Sequence, residues 1–366
     1  MVNAVLIKFI LFGNLIIVCF GCSGSIKIDP PETVSNVLNE FVASEPFHYL
    51  NLDELDTQYI QLNENNIIYS IIDDVDLQIG HLSKFTQIGD RLYIYDGIGN
   101  AIFEINFDGT ADGPLTSEGA GPGEHGIIRN LKSNSWHIYA VDASNGRTNV
   151  YSSGMNFIGQ ENNLSFLDLN DSLLLMENSL SRGVAPNNPN QGRLVIYSMD
   201  NLADTVRTMM PRIIPAGYQP QMFNTPRVSL NRENDFVANY YFLPWLFVFD
   251  ELHNHTRTLI FEYSVFEEMD IPPMDFFKEL TNEGFGGIRP ITEFKLMDNG
   301  DIFFTVRREL FRLTLNSDNT YQMAGKYQFN HPSAEDPLWI SDVFQTDDKS
   351  EILIGSWEYL FRFELP

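Results

Sequence analysis

Apolar residues in this chain fall into short runs, bounded by Gly, Asn, Asp and Ser, and the runs come in pairs. Gly89-Asp90-Arg91 leads into Leu92-Tyr93-Ile94-Tyr95-Asp96, then Ala101-Ile102-Phe103-Glu104-Ile105 and the turn Phe107-Asp108-Gly109. Runs of this kind, rich in β-branched and aromatic residues between turn formers, predict strands, and two in succession predict a hairpin. The pattern returns at Ile138–Asp142 with Thr148–Tyr151, at Leu173–Met176 with Leu194–Tyr197, and at Phe236–Ala238 with Leu246–Asp250. It returns again at Ile302–Phe304 with Leu310–Leu313, and at Ile352–Ile354 with Leu360–Phe363. Helical exceptions are expected only at Pro31–Ala43 and Pro273–Leu280.

Taking Leu92, Ile138, Leu173, Phe236, Ile302 and Ile352 as equivalent, the units are spaced by 46, 35, 63, 66 and 50 residues. Blades of four short strands repeat at roughly 40–50 residues, and the longer intervals leave room for insertions such as the loop Arg182–Gly192. A β-sandwich would also use such hairpins, but six comparable units without a long helical period favour a propeller. The expected fold class is therefore all-β, a six-bladed β-propeller of four-stranded antiparallel blades over residues 57–366. A propeller must join its last blade to its first, because an open strand edge invites aggregation. Gln58–Leu62 is expected to supply the outer strand of the last blade.

The 366 residues carry 23 Lys and Arg against 49 Asp and Glu, a formal net charge of −26. So acidic a surface repels phosphate backbones and argues against a nucleic-acid partner. With 43% apolar residues, 28 Phe and 15 Tyr, the chain can fill a large core. Its start is different in character. A short leader with Lys8 precedes an apolar stretch from Phe9 to Gly21, shorter than the roughly 20 residues a membrane-spanning helix needs. Residues 1–21 are expected to be a signal peptide, and Gly21-Cys22 resembles the end of a bacterial lipobox, which makes Cys22 the expected lipidation site. Residues 22–56, with Pro30-Pro31, are expected to form a tether and N-terminal segment, so that membrane contact runs through the lipid alone. Both cysteines lie in the first 22 residues, so the body has no disulfide and no thiolate for catalysis or metal.

Beyond these patterns, Tyr59-Ile60-Gln61-Leu62 and Ile79-Gly80-His81-Leu82-Ser83-Lys84 precede the first hairpin, and Gly119-Ala120-Gly121-Pro122-Gly123-Glu124 precedes the second. In that order they resemble the six-bladed β-propeller lipoproteins of Gram-negative bacteria, relatives of the NHL-repeat propellers. The second unit is the most NHL-like, through Tyr139, Val141-Asp142, Asn145, Arg147, Val150-Tyr151 and Gly154. The resemblance covers roughly Thr57 to Pro366. It implies the fold and a place in the cell envelope, in the outer membrane or periplasm, and hands over no catalytic residues.

Several groups invite a chemical role beside a plainer one. The Gly119–Glu124 segment could present Glu124, His125 and Arg129 to a ligand at the channel mouth, or be an inter-blade turn in which Glu124 bonds backbone amides. Arg147, Arg129 and Arg307-Arg308 could take a carboxylate bidentately or neutralise acids between blades. His253 and His255 offer two imidazoles but no third ligand, and Asp73–Asp76 and Asp298–Asp301 lack the spacing of a calcium loop. Tyr240, Tyr241, Phe242, Trp245, Trp339 and Trp357 could form a sugar-stacking platform or fill the core. No metal ligand set and no cofactor is expected. There is no Gly-x-Ser-x-Gly, no His-Glu-x-x-His and no Asp-box. The expected function is a non-catalytic binding or scaffold protein for a protein or glycan partner. The alternative is a propeller hydrolase or lyase acting on a carbohydrate or lactone with a metal ion, such as calcium, in the central channel.

Overall fold

The computed structural model describes residues 47–364 apart from 73–76, 78, 163, 178–192, 202–204, 211–224, 242, 269–288, 333, 335 and 347–350. The six predicted hairpins form the middle of six separate sheets. Blade 1 runs through Leu82–Ile88, Arg91–Asp96, Ala101–Ile105 and Ala111–Asp112, and blade 2 through Ile128–Ser133, His137–Asp142, Arg147–Ser152 and Phe157–Asn162. Blade 3 contains Phe166–Leu169, Leu173–Glu177, Leu194–Ser198 and Thr205–Met209; blade 4 contains Pro226–Leu230, Phe236–Tyr240, Trp245–Phe249 and His255–Glu262. Blade 5 is built of Phe294–Leu296, Ile302–Val306, Glu309–Leu315 and Tyr321–Asn330, and blade 6 of Ile340–Gln345, Ile352–Ser356 and Tyr359–Phe363. The first strands touch in the order 1-2-3-4-5-6-1, so they ring an axis and the protein is a six-bladed β-propeller.

Apolar side chains on both faces of each second and third strand explain why those hairpins were legible. Each face packs on a neighbouring blade, and six apolar clusters fill the six blade interfaces. Stacked aromatics recur there, as in Phe236 on Phe249 at 4.4 Å and Phe261 on Phe304 at 4.4 Å.

Closure departs from the expectation. Ile67–Ser70, not Gln58–Leu62, pairs antiparallel with Tyr359–Phe363 and completes blade 6. Gln58–Gln61 instead adds a parallel fifth strand outside Tyr321–Asn330 of blade 5, and Phe47–Asn51 does the same outside His255–Glu262 of blade 4. Burial gives the reason. Ile68 and Tyr69 are 4% and 2% exposed and enter the cluster shared by blades 6 and 1, whereas Tyr59 is 69% exposed. The segment assigned to the tether is thus in part built into the body, where Leu52 is fully buried and Asp53 accepts hydrogen bonds from Ser264. Residues 1–46, with Cys22 and the Pro31–Ala43 helix, lie outside the described residues, as do Pro273–Leu280, Arg182–Gly192 and Asp73–Asp76.

One blade carries an acid-sensitive group. His255 lies against the rings of Phe247 and Phe249, and burial lowers its pKa from 6.5 to about 4. The unfolded chain therefore takes up a proton near pH 6.5 that the fold refuses until about pH 4, so stability falls as the pH drops through that window. His125 and His253 are shifted in the same direction by burial. Thermal melts of wild type and His255→Gln should diverge between pH 7 and 4.5 by ~2 kcal/mol, the wild type losing more. Parallel curves would remove this role for His255.

Candidate functional site: the channel and its mouth

Four of the six innermost strands share a device that the sequence hides. Their register against the second strand slips at Ser83, Arg129, Leu167 and Ser341, so each carries a one-residue bulge, which in blade 3 lies two residues nearer the hairpin than in blade 2. A bulge re-aims the residues that follow it. Here those residues are Lys84, Asn130, Asp168 and Asp342. Asp168 and Asp342 sit on blades 3 and 6, opposite one another, and each accepts a hydrogen bond from the next backbone amide, at 3.0 and 2.9 Å. Asp168 also accepts from the Leu230 amide at 2.9 Å across the blade boundary.

Both aspartates line a cavity of about 430 Å³ to which all six blades contribute. Lys132 of blade 2 and Lys295 of blade 5 line it too, again on opposite sides, so lysine–aspartate pairs repeat across the axis. Lys132 Nζ lies 3.5 Å from Asp168 Oδ1. Removal from bulk water pulls the Lys132 ammonium down, but Asp168, Asp342 and Glu293 together outweigh this and hold its pKa above the usual lysine value. Lys295 goes the other way, lowered by burial and then by the like charge of Lys132. Burial pushes Asp342 up against the pull of Lys132. Among the described residues the channel lining sets Lys132, Lys295 and Arg232 against Asp168, Asp171, Asp298 and Asp342, so carboxylates outnumber cations by one.

At the end where these strands begin, a second cavity of about 490 Å³ opens between blades 5, 6 and 1. Among the described residues, Lys84, Arg289 and Arg307 line it with one carboxylate, Glu293. Arg227 holds Glu293 at 3.2 Å while donating to the carbonyls of Ile291 and Thr292, at 2.8 and 2.7 Å. Arg289 lies over the Tyr241 ring at 3.8 Å, and burial with the like charges of Arg227 and Arg129 lowers its pKa against the pull of Glu293. On the blade 6 side, Trp339 and Trp357 sit 6.1 Å apart with planes tilted by 35°, and Trp357 is 51% exposed. His81 meets Trp357 edge-on at 5.2 Å, and burial lowers its pKa below the usual imidazole value.

Of the five residues singled out by sequence, Arg307 lines this mouth and Arg129 is exposed close enough to Arg289 to share its field. Glu124, His125 and Arg147 line neither cavity. Glu124 accepts from the Gly121 amide at 2.7 Å, and His125 is fully buried with Nε2 2.7 Å from Thr116 Oγ1. Arg147 donates to the carbonyls of Ala120, Gly121 and Glu124 at 3.1, 2.8 and 2.8 Å. Asn145, Asn149 and Tyr151 grip the same loop through the carbonyls of Gly119, Glu124 and Gly123. Four side chains of blade 2 thus clamp the Gly-Pro-Gly-Glu loop. Blade 1 has Ala101 where Arg147 stands.

The aromatic group divides: Tyr240 and Trp245 are core, while Trp339 and Trp357 reach the mouth. Asp298–Asp301 is a turn whose Asp301 takes Arg312 at 2.7 Å. Among the described residues, no cluster of three or more His, Cys, Asp or Glu is placed to hold a metal ion, and no helix is long and apolar enough to cross a membrane. Sequence reasoning missed Lys84, Lys132, Asp168, Lys295 and Asp342. A signal existed in the strand ends Leu131-Lys132-Ser133-Asn134, Leu167-Asp168-Leu169-Asn170 and Val228-Ser229-Leu230-Asn231, whose asparagines turn three equivalent hairpins through their side-chain oxygens.

Fold and site together define a six-bladed propeller with a channel of mixed charge and a mouth lined by cations and indoles. Among solved structures it is similar to a protein of Bacteroides fragilis named as exported, at 13% identity over 88% of this chain and 100% of that one, with a TM-score of 0.53. It is also similar to a streptogramin B lyase, at 11% identity over 79% of this chain and 94% of that one, TM-score 0.45. The extracellular domain of a one-component system from Bacteroides thetaiotaomicron follows, at 13% identity over 81% of this chain and 39% of that one, TM-score 0.43. At such identity the first speaks to the fold alone, and the other two add no argument. No family model and no curated protein matches the chain.

Proposed function

We propose that this chain is an exported propeller, anchored through Cys22 in the outer membrane or periplasm of a Gram-negative envelope, that binds a protein or glycan partner without chemistry. The observation that carries the binding role is the mouth between blades 5, 6 and 1. There Lys84, Arg289 and Arg307 gather beside two indoles in a protein of net charge −26. Cavities of a few hundred Å³ with aromatic walls and a few placed polar groups are the usual form of a ligand site. A metal-assisted hydrolase or lyase would need several carboxylates converging on one ion, and here Asp168 lies 3.5 Å from Lys132 Nζ while Asp342 also feels the Lys132 charge. The test is chemical cross-linking in native envelopes followed by capture of the tagged full chain. Wild type should retain a discrete partner, protein or glycan, that Trp357→Ala fails to retain; equal recovery by both would remove the mouth from the binding role. Loss of metabolic palmitate labelling in Cys22→Ser checks the anchor.

A further inference from the structure

The ligand class can be narrowed from the same mouth, and this step rests on the binding role just proposed. We infer that the cavity between blades 5, 6 and 1 takes a carboxylate-bearing sugar, a uronate of a short acidic oligosaccharide, with the ring on Trp357 and the carboxylate on Arg307 and Arg289. Charge comes first. The chain has 23 basic residues against 49 acidic ones, yet Lys84, Arg289 and Arg307 line this cavity against Glu293, with Arg129 close behind. Glu293 is already held by Arg227, and among the described lining residues the cations outnumber the carboxylates. An anion approaching a molecule of net charge −26 is repelled everywhere except where the field reverses, and a cleft focuses that reversal. Guanidinium groups pair with carboxylates through two parallel N–H donors, which a planar uronate group matches.

The indoles supply the second half. Trp339 and Trp357 tilt by 35° at 6.1 Å, and the half-exposed Trp357 offers a flat π surface beside the cations. A pyranose has one apolar C–H face and a rim of hydroxyls, so it can cover a ring and still reach polar neighbours. The polar neighbours are present. His81, Ser83 and Ser341 border this cavity beside the indoles. Ser341 is the bulge residue of blade 6 and Ser83 that of blade 1, so the device that shapes the channel also sets hydroxyls at its mouth. An acidic peptide would satisfy the arginines but leave the exposed indole face without a flat partner.

Calorimetry on the full-length chain decides this, with oligogalacturonate, oligoglucuronate and oligomannuronate tetramers, their methyl esters, and a hexaglutamate peptide as probes. At least one uronate tetramer should bind, at least tenfold tighter than its own ester, and weaken about tenfold between 50 and 500 mM NaCl. Arg307→Asn, which removes the charge but suits the left-handed backbone there (φ 53), and Trp357→Ala should each cost tenfold or more with unchanged melting. The inference is overturned if esters bind as well as acids, if hexaglutamate binds in place of the sugars, if both variants bind normally, or if no uronate binds. Envelope capture of a partner in any of those cases leaves the binding role standing while this ligand class falls; failure of capture as well removes both.

Discussion

Arg147→Ala should lower unfolding stability by about 3–5 kcal/mol, the largest loss expected from one side chain outside the apolar core. The guanidinium is buried, holds three loop carbonyls and Gln160 Oε1, and lies 3.7 Å from the fully buried Asp142. Truncation loosens the loop, although the Gly121 and Glu124 carbonyls keep the Glu124 amide and Asn149 Nδ2, and it removes the cation facing a buried carboxylate, whose desolvation is then uncompensated. Asp142 keeps the amides of Ser144 and Asn145 at 3.1 Å, which sets the estimate below a full orphaned charge. Arg147→Lys should fall between, because one ammonium cannot reach three carbonyls at once. Denaturant midpoints with Trp fluorescence measure both. A loss under about 1 kcal/mol for the alanine would mean that the loop is held by Asn149 and Tyr151 without Arg147.

Ile68→Asp should be worse, costing about 4 kcal/mol or more and abolishing cooperative unfolding, while Tyr59→Asp should be nearly neutral. Both positions lie in strands from the same N-terminal stretch. Ile68 belongs to the strand that seals blade 6 against blade 1, beside Leu353, Leu360 and Phe103, and a carboxylate there has no partner. Tyr59 decorates the outside of blade 5, where solvent covers either residue. Circular dichroism melts of the two variants make the comparison. Equal losses would place closure on Gln58–Gln61 after all, and a folded Ile68→Asp would deny that the ring depends on its last joint.

How far the sequence reached depended on where each residue's partners come from. The six hairpins were visible because their strands are apolar on both faces and their partner is the next strand along the chain. The innermost strands were not. Lys84, Asp168, Lys295 and Asp342 interrupt the alternation, and a bulge in four of these strands breaks period two where a strand signal would be sought. Closure was anticipated but misplaced, since Tyr59-Ile60 and Ile67-Ile68-Tyr69 are equally good strands in isolation. Which one meets Tyr359–Phe363 is set by contacts about 290 residues away.

The candidate site divides in the same way. Arg307, Trp339 and Trp357 could be singled out as unusual residues, but nothing local ties the turn of blade 5 to the turn of blade 6 or to His81 in blade 1. Arg147 stood out equally and proved to serve its neighbouring loop. By itself the sequence determined the blade count, the all-β class and the acidity that makes any cationic patch an exception, because these follow from composition and from pairings between adjacent segments. Only the tertiary structure decided which charges share the axis and which cations and rings share a mouth, because a propeller assembles its centre from one strand per blade, drawn from points spread along the whole chain.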